Sequence, residues 1–312
     1  MKRFFFNVLA SAALIMTGTQ CSTEEPAPGP DPDNSPKRHE LPAGKGMLKV
    51  LAIGNSFVED PLAYLDDIVQ ASGIDCDRLC VYSAVVGYSS LQYWADRCQN
   101  DDSVTITRSS GKLDMPVTQA PLNEILNQDW DVVTVQQVST QAQDAQSLSQ
   151  PLPYLVSQIR KCCPNKDVVI AFQQVWSYWW YENGTSLDHW EIITDVVKTT
   201  FSYGVDMIIP TGTAIQNARA TELNTPHGLT RDSIHLCYGI GRYVAACTWF
   251  ETLIAPVFAV SVSGNSAIHD ITEDEQANSL YETAAVTSLN RSHCQQCAIN
   301  AVKNPYLITP IN

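Results

Sequence analysis

Positive charge is scarce in this chain. Lysine and arginine number 19 against 33 aspartates and glutamates in 312 residues, a formal net charge of −14, and no basic block relieves the deficit. Such a surface repels phosphate backbones and anionic headgroups, which argues against nucleic acid or an anionic membrane as the substrate. Internal repeats are absent too, and beyond Gln20 no apolar run is long enough to span a bilayer.

The first segment, Met1 to Gln20, pairs a basic start (Lys2, Arg3) with an apolar run from Phe4 to Met16. This is the pattern of an export signal, to be excluded from the fold. Cys21 followed by Ser22-Thr23-Glu24-Glu25 resembles the lipidated start of a bacterial lipoprotein, with a lipid rather than a helix as the membrane anchor. Plain secretion after ordinary cleavage is the alternative. Either way the protein is expected outside the cytoplasm, at the outer membrane, the cell surface or in the periplasm. From Cys21 to Gly46 the chain is rich in Pro, Gly, Asp and Glu and reads as a disordered tether. The globular domain is expected over 47–257, with 258–312 packed on it as a C-terminal extension.

The chain holds 10 cysteines. If Cys21 carries lipid, an odd number is left, which excludes a fully paired disulfide framework. Cys294-Gln-Gln-Cys297, beside His293, has no second ligand pair at a suitable spacing, so disulfide or free thiols are expected there rather than a metal. No metal and no organic cofactor is called for.

Within the domain, apolar runs predict strands near 49–54, 79–84, 131–136, 168–173 and 206–210. Helical periodicity appears near 60–72, 89–98, 120–128, 148–162, 187–203, 239–254 and 275–289. The alternation predicts an α/β fold with a parallel sheet and helices on both faces. Val104-Thr105-Ile106-Thr107 and the Ser-Ser-Gly after it suggest a small inserted hairpin between Asp101 and Thr118.

The first strand, Val50 to Gly54, runs into Asn55-Ser56 and then a helical pattern. A serine is thus delivered to the carboxyl edge of the sheet, beside a helix amino terminus whose free N–H groups suit an oxyanion. A plain helix cap would use the same residues. Far downstream, Asp232 and His235 stand three residues apart, so the carboxylate can orient an imidazole that deprotonates the serine. Of the other histidines, His189 and His227 could border a pocket, while His39, His269 and His293 lie in the tether and the extension.

Gly54-Asn55-Ser56-Phe57 resembles the first block of the SGNH (GDSL-type) hydrolases, and Asp232-x-x-His235 resembles their last. Val86-Gly87-Tyr88-Ser89 is similar to the second block, whose glycine N–H serves the oxyanion. The resemblance covers about Leu48 to Ala255. It implies a three-layer α/β/α sandwich around a central parallel, flavodoxin-like sheet, with Ser56, His235 and Asp232 as the catalytic residues and the N–H groups of Ser56 and Gly87 as oxyanion donors. Where the family carries an Asn, this chain has Gln136-Gln137, as in carbohydrate acetylesterase branches, and one of these two amides is implied as a third donor. Only one of them can face the serine if the strand persists, because adjacent strand residues point to opposite faces.

From Trp176 to Tyr181, just past the strand at 168–173, five of six residues are large aromatics. Trp176, Tyr178, Trp179 and Trp180 are therefore candidate platforms for sugar rings, against the reading of a self-packed aromatic cover. The expected function is a serine esterase that removes acyl, in the first instance acetyl, groups from carbohydrate or another small ester. A non-catalytic glycan-binding lipoprotein and a lipid esterase or thioesterase are the alternatives; the second should show an apolar lid, and none is found.

Overall fold

The computed structural model describes residues 41, 43–309 and 311. The expected signal, Cys21, His39 and most of the tether lie outside the described residues. Among the described residues eight strands occur in chain order: β1 Leu48–Gly54, β2 Leu79–Val85, β3 Ser103–Thr105, β4 Thr107–Gly111, β5 Gln119–Pro121, β6 Val132–Val135, β7 Val169–Gln173 and β8 Met207–Ile209. The main sheet is ordered β4-β2-β1-β6-β7-β8. Its five parallel strands, numbered among themselves, run 2-1-3-4-5, the doubly wound order. Every residue of β6 and β7 is buried, as are all but Lys49 in β1, which is why these strands read as unbroken apolar runs.

Eight helices connect and cover them: α1 Ser56–Leu62, α2 Leu65–Ala71, α3 Leu91–Asn100, α4 Leu122–Leu126, α5 Pro151–Cys162, α6 Ser186–Lys198, α7 Thr211–Arg219 and α8 Ile240–Trp249. Right-handed crossovers put α1 and α2 on one face and α3 to α6 on the other, and α7 and α8, which follow the last strand, join the first face. The contacts agree: α1, α2 and α7 pack on α8, and α3 and α4 pack on α5. The result is a mixed α/β fold with a mostly parallel central sheet.

Three expectations need correction. The segment 101–118 does not fold on itself as a hairpin. β4 instead pairs antiparallel with β2 and becomes the edge of the main sheet, while β3 pairs with β5. The helix expected at 275–289 shrinks to Glu273–Ala277, because bridges His269↔Val286 and Gly239↔Ala284 draw the following chain into extended form. Beyond it a helix at Arg291–Lys303, which periodicity did not reveal, packs on α7 and α8. It is tied there by Asn217 Nδ2 to Cys297 O at 3.1 Å, so the extension completes one face of the domain.

Finally, the packed chain starts before Met47. Leu41 is 7% exposed, and the Gly44 and Gly46 N–H groups donate to Pro256 O at 3.3 Å and Val257 O at 3.1 Å. Composition hid this because one leucine among prolines and glycines does not register as core. A chain shortened to begin at Met47 gives up about 2 kcal/mol of apolar burial. Its melting temperature in calorimetry should be lower by about 4–8 °C than that of a chain beginning at Leu41. Equal melting would show that residues 41–46 contribute nothing.

Candidate active site

β1 ends at Gly54, where no side chain fits: a Cβ would stand 2.7 Å from Val58 Cγ2 and 3.0 Å from Gln136. Asn55 follows as the N-cap of α1, its Oδ1 accepting from Phe57 N at 3.0 Å and its Nδ2 donating to Ser89 O at 2.9 Å. Ser56 is thereby the first residue of α1, where the N–H groups have no partner inside the helix. Gly87 is exposed in the loop after β2, with nothing within 4 Å of where a Cβ would stand. Its N–H and that of Ser56 have no hydrogen-bond partner among the described residues.

The loop from Thr230 to Leu236 closes on itself through a bridge between its ends. Inside it, Asp232 Oδ1 accepts from Ile234 N at 3.2 Å and His235 N at 2.8 Å, and Ser233 takes a positive φ of 83° to make that turn. Asp232 Oδ2 is then free to meet His235 Nδ1 at 2.7 Å, and His235 Nε2 lies 2.8 Å from Ser56 Oγ. The three residues singled out in the sequence are thus brought together by one unbroken chain of hydrogen bonds. Burial pushes the Asp232 carboxyl up, but the His235 ring and the two backbone N–H groups outweigh it and hold the group at about 2. Asp232 is therefore a carboxylate at any ordinary pH.

What holds loop and helix together was not visible in the sequence. Asp60, one turn after Ser56 on α1, is fully buried. Its Oδ1 accepts from Arg231 Nη1 at 2.7 Å and Arg242 Nε at 2.9 Å, and its Oδ2 from Leu236 N at 2.8 Å. One carboxylate thus joins α1, both ends of the Thr230–Leu236 loop and α8.

A second support is a chain of amides behind the serine. Trp249 Nε1 donates to Gln173 Oε1 at 2.6 Å, Gln173 Nε2 to Gln136 Oε1 and Phe57 O at 2.7 Å each, and Gln136 Nε2 to Asn55 Oδ1 at 2.7 Å. Gln136, one of the two amides considered for the oxyanion, holds the Asn55 cap. Gln137 faces elsewhere: its Oε1 accepts from Leu91 N at 3.1 Å and its Nε2 donates to Ser147 Oγ at 3.0 Å. β6 stops at Val135, before the pair, and each amide is engaged within the protein.

The aromatic run divides. Trp176 is fully buried and so cannot be a platform; its ring stacks on Phe57 at 4.1 Å and its Nε1 donates to Ile234 O at 2.7 Å, steadying the Asp232–His235 turn. Trp179 is half-buried, edge-on to His227 at 5.0 Å, while His227 stacks on Tyr281 at 3.8 Å. Tyr281, from the C-terminal segment, meets Ser233 Oγ at 2.8 Å. Trp180, 47% exposed, stacks over half-buried Tyr178 at 6.3 Å, and these two rings remain available. His189 is buried against Tyr178 and Tyr181, its Nδ1 accepting from Tyr178 N at 3.1 Å. Burial, with the Arg219 charge added, draws its pKa down to about 4. Cys294 and Cys297 are buried free thiols, and among the described residues no group of His, Cys, Asp or Glu has the arrangement of a metal site.

Two outcomes are expected. Asp60→Asn leaves two guanidinium groups short of their counter-charge and should cost about 3–5 kcal/mol in denaturant unfolding; a change within error would show that the clamp is dispensable. His189 binds a proton more readily unfolded than folded, so stability is lost as pH falls from 6.5 through about 4. The loss should approach about 3 kcal/mol and be largely absent in His189→Phe, as melting curves across that window would reveal.

Among solved structures, the chain is similar to a DUF4886 family protein from Bacteroides uniformis at 29% identity and TM-score 0.66, covering 85% of this chain and 98% of that one. It is more remotely similar to a putative GDSL-like lipase from Parabacteroides merdae, at 10% identity and TM-score 0.43, covering 69% of this chain and 98% of that one. A gut microbial diltiazem-metabolizing enzyme aligns at 10% identity and TM-score 0.43, over 71% of this chain and 49% of that one. No curated protein matches the sequence. The model of a domain of unknown function, DUF4886, matches residues 49–288, and the chain belongs to that family.

Proposed function

We propose that this protein is a serine hydrolase of the SGNH (GDSL-type) kind that cleaves small esters, with acetylated carbohydrate as its substrate class. The observation that carries the reading is the hydrogen-bonded chain from Ser56 through His235 to Asp232 at the carboxyl edge of the sheet. With Nδ1–H given to Asp232, Nε2 is the basic nitrogen and faces the serine hydroxyl. Ser56 Oγ attacks the ester carbonyl as its proton passes to Nε2. The negative charge that develops on the carbonyl oxygen is met by the N–H groups of Ser56 and Gly87. His235 then protonates the departing alcohol, and a water, deprotonated by the same nitrogen, releases the acid and restores the serine. Asp232 keeps the imidazole in the required tautomer throughout.

Sugar as the alcohol is supported by Tyr178 and Trp180, stacked rings on the segment that leaves β7 at the same sheet edge. Export and lipid attachment at Cys21 belong to the same reading and would place the enzyme at the cell envelope.

Turnover of a small aryl acetate by the purified protein tests the chemistry. Ser56→Ala should lower kcat by about four orders of magnitude or more and Asp232→Asn by about two to four. Wild-type rates no higher than those of Ser56→Ala would end the esterase reading. Because Asp232 stays ionised down to about 2, the acid limb of kcat/KM should not follow its titration. The sugar assignment has its own measurement: Trp180→Ala should raise KM for an acetylated monosaccharide severalfold and leave the aryl acetate unaffected, and equal effects on both would remove it.

A further inference from the structure

Arg219, the last residue of α7, is 9% exposed and takes no part in the arrangement around Ser56. Its contacts all run to neutral acceptors: Nε to Gly228 O at 2.8 Å, Nη1 to Ser177 Oγ at 2.7 Å and Gln216 Oε1 at 3.3 Å, and Nη2 to Ser177 O at 3.0 Å. A guanidinium has five N–H donors, so one on Nη2 is unspent. No carboxylate among the described residues pairs with it, and burial draws its pKa down to about 10. Buried charges are ordinarily paired. The carboxyl end of α7 supplies roughly half a compensating charge at most. The rest of the positive charge is unanswered among the described residues.

Arg219 also forms part of the wall of a cavity of about 390 Å³, together with Trp179, Gln216, Ala220, Asn224, Thr225 and Gly228. The size is that of a small-molecule pocket at the lower end of the range. Beside the apolar side chains of Leu187, Pro226 and Ile308, amide and hydroxyl groups from Gln216, Asn224 and Thr225 share the wall with one cation and the Trp179 side chain, a mixed lining that suits a sugar-sized anion, whose ring offers both hydroxyl and C–H surface. Gly228 lets the chain pass close to the indole, since a Cβ there would stand 2.6 Å from Trp179 Cβ.

We infer that this cavity is a second binding site, for an anionic sugar-sized molecule whose carboxylate or sulfate pairs with Arg219 while its hydroxyls meet Gln216, Asn224 and Thr225. The site is separate from Ser56. It backs on the Asp232–His235 loop through Trp179, His227 and Tyr281, and its existence does not depend on the hydrolase reading.

Calorimetric titration of the full chain with glucuronate, glucose, glucose 6-sulfate and inorganic sulfate tests it. Glucuronate or glucose 6-sulfate should bind at least about tenfold more tightly than glucose, and whichever does identifies the anionic group. Arg219→Met should abolish that preference. Ala220→Phe, at an exposed position on the cavity wall, touches none of the Arg219 hydrogen bonds and should weaken binding about tenfold with unchanged circular dichroism; it decides the matter if Arg219→Met does not fold. Equal or undetectable binding of all four compounds, or affinity unchanged in Ala220→Phe, would overturn the proposal. Inorganic sulfate binding as tightly as the charged sugars would overturn the sugar-sized ligand.

Discussion

The geometry around Ser56 depends on a buried carboxylate that makes no hydrogen bond to Ser56, His235 or Asp232. Removing Asp60 from water is costly, and the cost is offset only because two guanidinium groups and a backbone N–H converge on its two oxygens. All four groups must be in place together, so the interaction is satisfied in one arrangement and penalised in others. That arrangement sets the Thr230–Leu236 loop against the first turn of α1, which brings His235 to a serine 179 residues earlier in the chain. The Ser56–His235 distance is a by-product of satisfying Asp60.

The amide chain from Trp249 to Asn55 acts on the other side of the serine. Each member is buried and each accepts or donates to the next, so the ends of β1, β6 and β7 are fixed relative to α8 without a charged group. A polar network of this kind stiffens a site when every member is satisfied and loosens it when one is not. Asn55, which at first sight merely caps a helix, is where this network reaches Ser56.

The sequence made some of this legible for a definite reason. Strands buried on both faces must be apolar throughout, so β1, β2, β6, β7 and β8 stood out, and the polar Asn-Ser at the end of β1 marked the sheet edge. Asp232 and His235 were readable because their spacing is local. Asp60, Gln136 and Gln173 were not: a charged or amide residue is ordinarily a surface residue, and only long-range partners turn it into core. The same holds for α7, where Thr, Gln, Asn and Arg are all buried and no polar face remains to reveal a helix. Trp176 is the converse case: an aromatic in a rich run reads as a platform, yet its ring and N–H steady the loop.

The first packed residues lie at the edge of the sheet opposite Ser56. Lys45 pairs with Asp131, just before β6, and Leu41 lines a cavity with Asp206 and Met207 at the start of β8. The entering segment therefore meets the amino edge of the sheet, whereas Ser56 stands at the carboxyl edge, about 20 Å away at the rise of a seven-residue strand. The space before Ser56 therefore lies a full strand's length from the place where residues 41–46 pack, and neither stands in the other's way.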